Sequence, residues 1–178
     1  MLSPAKPDLL SQFEAAARTA FATVERVPSS AAELAAAVAR IARGRIAIAE
    51  PLDVPEAMFS ELRRLPRVVS DRSKQELATC DFGVTDAFAG VARTGSVCIT
   101  IDQGYAGVIS LLSRTHIAVL SADTIVERPA DLFDATCIGG KGLERNFVFV
   151  TGPSATADMG PLVRGVHGPH HLHVIILE

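Results

Sequence analysis

Long runs of any single kind are what this sequence lacks. No apolar stretch approaches the ~20 residues that cross a bilayer, so a membrane-spanning helix is not expected. No long basic run occurs and the formal net charge is −3, which argues against nucleic acid as the main partner. The first residues, Met1 to Pro7, carry no apolar core of the kind a signal peptide needs, and a cytoplasmic location is the expectation that follows. Cysteine is scarce: Cys80, Cys98 and Cys137 are widely spaced and no CxxC is present, which excludes a sequence-local set of iron–sulfur or zinc ligands. Free cysteine usually behaves as a small buried hydrophobe, and that is the reading adopted for all three. Several signatures are also missing. Gly139-Gly140-Lys141-Gly142 lacks the P-loop frame, no GxSxG elbow exists, and no GxGxxG follows a strand.

What is there is a chain of 178 residues, 48% hydrophobic and 21% charged, long enough to bury a real core in one domain. Apolar spacing predicts a helix over Asp8 to Val27, ended by Pro28. Ser30-Ala31-Ala32-Glu33 is a capping box for a second helix, running to about Arg43 and stopping at Gly44. Short strands are expected at Ile46 to Ile48 and Arg67 to Ser70, with a helix between them over Glu56 to Leu65. A further short helix should follow Ser73. The second half alternates apolar runs rich in Val, Ile and Phe (82–85, 96–101, 116–120, 147–151 and 173–177) with helix-like segments at 86–93, 130–137 and 156–164. Continuously apolar strands suit a parallel or mixed sheet covered on both faces, hence a three-layer α/β domain. Residues 1–45 read as a helical N-terminal segment packed on an α/β domain over 46–178.

Three polar clusters could carry chemistry. Thr94-Gly95-Ser96 precedes a strand, and its hydroxyls and backbone N–H groups form either an anion cradle or a simple turn. In Gly152-Pro153-Ser154-Ala155-Thr156-Ala157-Asp158, Ser154 or Thr156 could cap a helix with Asp158 in its first turn; alternatively Ser154 and Thr156 bind a carboxylate or phosphate. Gly165-Val166-His167-Gly168-Pro169 sets an imidazole between glycines, accessible for proton transfer or ligand contact. A metal site built from His167, His170 and His171 is disfavoured because their spacing is irregular, so no metal is expected. His116, heading a buried strand, reads as a structural histidine. The roles expected are His167 as proton-transfer group, Asp158 as its orienting partner or a cap, and Thr94, Gly95, Ser96, Gly152, Ser154, Thr156 and Gly168 as ligand contacts.

These motifs, together with Gly83-Val84-Thr85 and Ser110-Leu111-Leu112-Ser113-Arg114-Thr115-His116-Ile117, appear in order over about residues 80–178, and they resemble the LutC/YkgG branch of the lactate-utilisation LUD domain. The resemblance implies a NagB/RpiA/CoA-transferase-like fold with a mixed, mostly parallel sheet. It also implies an accessory role in oxidation of L-lactate to pyruvate beside iron–sulfur partners (LutA/LutB-like), with no cluster or other cofactor on this chain. Three positions depart from the family pattern. Arg93 stands where a glutamate is usual, Gly107 where an arginine is common, and Ser113 where a proline is usual. Loss of an acid and a base together suggests a rearranged ion pair or ligand contact, with Arg93 supplying the charge that Gly107 does not. Two other classes of function stand beside the accessory role. One is a free-standing enzyme or binding protein for a small anion such as a phosphosugar, CoA thioester or hydroxy acid; the other is a non-catalytic interaction module.

Overall fold

The computed structural model describes residues 6–71, 73–101, 104–158 and 160–178, so the reading made of residues 1–5 lies outside it. Helix α1 spans Lys6–Thr19, strand β1 Thr23–Val27, helix α2 Ala31–Ile41 and strand β2 Ile46–Ile48. Short helices α3 (Glu56–Phe59) and α4 (Lys74–Leu77) lead to β3 (Phe82–Ala87), β4 (Ala89–Val91) and β5 (Ser96–Thr100). Helix α5 (Ala106–Leu112), β6 (Thr115–Ser121), β7 (Ile125–Val126), α6 (Lys141–Glu144) and β8 (Phe147–Val150) follow, and the chain closes with β9 (Ala155–Thr156), β10 (Val163–Arg164) and β11 (His171–Leu177). Among the described residues no helix is long and apolar enough to cross a membrane.

The architecture is α/β around a five-stranded, all-parallel sheet in the order β1-β11-β6-β3-β2. Its central strands are apolar along most of their length because both faces are covered. On one face α2 and α3 bring Leu34, Val38 and Phe59 against Val84, Ile117, Val119 and Ile175. On the other, Phe13 and Ala17 of α1, Ile109 of α5 and Val97 and Ile99 of β5 meet Ala118, Leu120, Leu172, Val174 and Ile176. Strand β5 belongs to a second, four-stranded sheet, β7-β4-β5-β8, which pairs mostly antiparallel. The two predicted capping boxes form in their first half alone: the Ser30 and Ser73 hydroxyls accept from the backbone N–H of Glu33 (3.2 Å) and Glu76 (3.3 Å), while the N–H groups of Ser30 and Ser73 donate to Pro28 O and Asp71 Oδ1 instead of to the glutamate side chains.

Four expectations are corrected. The first helix ends at Thr19, and residues 23–27 are a strand hydrogen-bonded to β11, so the first 45 residues contribute to the sheet itself. Residues 67–70 form an isolated bridge, Val68 to Ile46, rather than a strand. The segment 86–93 is extended, crossing from one sheet to the other at Phe88; Phe88, Ala89 and Val91 are fully buried and leave no polar face for a helix. The segment 156–164 is a hairpin, β9 with β10, interrupted by Gly160 (φ +145°) and Pro161, neither of which suits a helix interior. Helix α5 was not foreseen from the sequence.

The turn from β2 towards α3 is anchored by Asp86, 5% exposed, whose carboxylate accepts from the backbone N–H groups of Leu52 (2.7 Å), Asp53 (2.6 Å) and Val54 (3.1 Å). Burial pushes this carboxyl above its ordinary range, while the amide donors pull the other way. Asp53 itself pairs with Lys141 (2.7 Å) and Arg145, tying the turn to the chain before β8. Replacing Asp86 with alanine strips three amides of their acceptor and is expected to cost about 2–4 kcal/mol in urea unfolding, whereas asparagine, which keeps one acceptor oxygen, should cost less.

Candidate functional site

A cavity of about 560 Å³ opens beside the second sheet. Its walls are Gly107, Val108 and Leu111 of α5 and Val148 and Val150 of β8. Thr151 to Ser154 and His167 to Pro169 rim it, and Leu172 and His116 line its base. Among its lining residues His116 (0% exposed) and Leu172 (2%) are buried, as are Gly152 and Pro169, while Leu111, Thr151 and His167 are exposed. The cavity lies at the amino ends of β6 and β11 in the parallel sheet and at the carboxyl end of β8 in the other. Ligands of open α/β sheets usually sit outside the carboxyl ends of the parallel strands, so this placement is the reverse of the expectation for the larger sheet.

Backbone hydrogen bonds hold the two rim loops together. The N–H of Ser154 donates to Pro169 O (2.9 Å), and that of Gly165 to Ser154 O (2.8 Å). A Cβ on Gly168 would sit 3.2 Å from that of Ser154. Thus Gly152, Ser154, His167 and Gly168 of the predicted set come together round one opening. Thr94, Gly95, Ser96, Thr156 and Asp158 are not among its lining residues. Asp158 is exposed on the β9–β10 hairpin and accepts from the Thr156 hydroxyl (3.0 Å), an arrangement internal to that turn.

Thr94 and Ser96 belong instead to the β4–β5 turn. Thr94 Oγ1 lies 2.7 Å from Ser96 Oγ, which lies 2.6 Å from Thr151 Oγ1, a chain of hydroxyls binding that turn to the end of β8. Ser96→Ala breaks the chain at its buried middle and is expected to cost about 1–2 kcal/mol, measurable by chemical unfolding. Gly95 and Gly152 both have positive φ (+65° and +68°), and both lie against the end of α1. A Cβ on Gly95 would overlap the backbone of Ala17, and one on Gly152 the carbonyl of Ala20. Close approach to a helix therefore accounts for the two glycines.

Of the departures from the family pattern, Gly107 lines the cavity, while Arg93 stands exposed at the β4–β5 turn and is not among the lining residues. No Lys, Arg, Asp or Glu appears among the described lining residues. Ser113 closes α5, its hydroxyl donating to Ile109 O (2.9 Å). The thiols are unsuited to nucleophilic work: burial pushes Cys98 up to about 12 and raises Cys80 and Cys137 as well. Among the described residues no group of three or more His, Cys, Asp or Glu could hold a metal ion.

The residue that sequence reasoning undervalued is His116. It is wholly buried, its Nε2 lies 2.8 Å from Thr85 Oγ1, its Nδ1 has no partner, and its ring lines the cavity. Burial pushes it down to about 4, so it is neutral near pH 7. The available signal was the alternation along β6, which puts His116 on the same face as Ala118 and Leu120.

Known proteins place this geometry in a family. Lactate utilization protein C of Deinococcus radiodurans is 29% identical over 151 residues, 83% of this chain and 70% of that protein. Lactate utilization protein B of Bacillus pumilus is 27% identical over 133 residues, 72% of this chain but 25% of that longer protein, so the chain spans about a quarter of its length. A crystal structure of a DUF162 family protein from Deinococcus radiodurans covers 100% of both chains with a TM-score of 0.71 at 24% identity, a likeness of fold. The LUD domain model matches residues 10–177, taking in both sheets, the cavity and its rim loops, and the chain belongs to the LUD domain family.

Proposed function

We propose that this chain serves as an accessory protein in oxidation of L-lactate to pyruvate, acting beside iron–sulfur proteins of the LutA/LutB kind. The observation that carries the reading is the family match over residues 10–177, together with relatives named for lactate utilization. The chain's three cysteines lie apart on Cys80, Cys98 and Cys137, so the redox centres of such a system would belong to the partners. At the cavity rim, the hydroxyls of Thr151 and Ser154 with the His167 imidazole offer hydrogen bonds to the carboxylate of a small hydroxy acid. His167 is the exposed imidazole at this rim. The absence of lysine and arginine among the described lining residues weighs against a phosphosugar or CoA thioester as the ligand.

The test is anaerobic affinity purification of the tagged chain from its native cells grown on lactate, with iron assayed and partners identified. Co-purification of iron–sulfur proteins is expected. Recovery of the chain alone and free of iron would overturn the accessory reading. His167→Ala should weaken L-lactate or pyruvate binding, read by calorimetry, without moving Tm.

A further inference from the structure

Below its polar rim the cavity has a different chemistry. Val108, Leu111, Val148 and Val150 are among its lining residues, and the buried His116 adds a polar one. A buried polar atom without a partner is rare and costly, and one on a residue that lines an apolar cavity points to what the cavity accepts. The hydrogen bond to Thr85 determines which kind of atom Nδ1 is. Thr85 is fully buried, with its hydroxyl 2.8 Å from Nε2. If Nε2 carried the proton, both the Thr85 hydroxyl hydrogen and a bare Nδ1 would be left unpaired. If Thr85 donates to Nε2, only Nδ1–H remains to be matched. The second arrangement leaves one orphan instead of two, and it makes Nδ1 a hydrogen-bond donor.

We propose that the inner cavity takes an uncharged, apolar carbonyl compound whose oxygen accepts from His116 Nδ1–H while its body lies between α5 and β8. Charge is disfavoured for two reasons. No ionised side chain is present among the described lining residues to pair with it. The environment that pushes His116 down to about 4 would penalise a ligand carboxylate as well. A volume of about 560 Å³ holds a fused two-ring carbonyl compound with room to spare, and the apolar walls match such a body. This ligand would sit deeper than the hydroxy acid proposed at the rim, and the inference does not depend on the role in lactate oxidation.

The probe is 2,3-dimethyl-1,4-naphthoquinone, uncharged and with no open position for thiol addition, titrated into the full chain labelled with nitrogen-15 at histidine. The His116 ring should show protonated Nδ1 before addition, and its signals should move and saturate as the probe binds. His116→Phe, which keeps ring volume but removes the donor, should weaken binding at least tenfold. Thr85→Val keeps the ring but frees the tautomer, and should weaken binding several-fold while the Nε2–H form appears. The proposal is overturned if the wild-type chain does not bind the probe, if Nδ1 is unprotonated in the neutral ring, or if both variants bind as tightly as wild type. Pyruvate displacing the probe from His116 would also overturn it, by placing an anion at the base. Loss of L-lactate binding in His167→Ala with quinone binding intact would separate the rim from the interior.

Discussion

Gly95→Ala is expected to cost about 3 kcal/mol or more of folding stability, lowering Tm by roughly 6–12 °C in a chain of this size. Two penalties add. Gly95 sits at φ +65°, where an L side chain is strained by about 1 kcal/mol. Its new methyl would also overlap Ala17 N and Cα, backbone atoms of α1 that cannot rotate aside. Overpacking of that kind costs about 1–3 kcal/mol even where side chains can give. Relief would require α1 to move off the sheet, and α1 carries Phe13, which is fully buried in the core. Gly152→Ala meets the carbonyl of Ala20 in the same way and should be similarly severe. Near-normal Tm in both variants would show that α1 does not rest on these turns. A folded Gly95→Ala protein that loses only ligand binding would return the turn to the role of an anion cradle.

Acid should weaken the fold through His116. Its pKa is about 4 when folded and about 6.5 when unfolded, so between those values the unfolded chain binds more protons. Its contribution is complete above about pH 6.5 and is lost as pH falls towards 4. The separation corresponds to about 3 kcal/mol, at about 1.4 kcal/mol for each tenfold difference in proton affinity. His173 acts in the same direction, because burial lowers it too, with Glu25 opposing. Asp86 acts the other way: burial raises it in the fold, so its contribution is present at low pH and declines as pH rises through its folded value. The His116 share is therefore the difference in slope between wild type and His116→Phe, followed by urea unfolding from pH 7 to 4. Equal slopes would mean that the ring stays neutral in both states, or takes up a proton equally in both.

Much of the parallel sheet was legible from single-residue chemistry. The runs at 82–85, 116–120 and 173–177 are apolar at successive positions, which only a strand covered on both faces tolerates, and they became β3, β6 and β11. Ser30 and Ser73 announced their helices because a cap is a local hydrogen bond, complete within four residues. The same local logic failed at 86–93 and 156–164. In the first, small helix-compatible residues are buried on every side by a second sheet whose pairing comes from residues 96–100, 125–126 and 147–150. In the second, Gly160 and Pro161 were the signal against a helix, outweighed by the capping pattern before them.

The site divides the same way. The sequence by itself determined that the loops at 151–154 and 165–169 would be polar turns bearing Ser154 and His167, and that the cysteines form no sequence-local ligand set. Only the tertiary structure decided that these loops rim one cavity while Thr94, Ser96, Thr156 and Asp158 lie outside its lining. It also decided that Gly95 and Gly152 yield to the end of α1, and that His116 faces an apolar interior with one nitrogen satisfied and one not. The physical reason is range: caps and strand periodicity are settled by neighbours a few residues away, whereas a cavity's lining is fixed by how separate elements, here α5, β8 and the starts of β6 and β11, come to rest against one another.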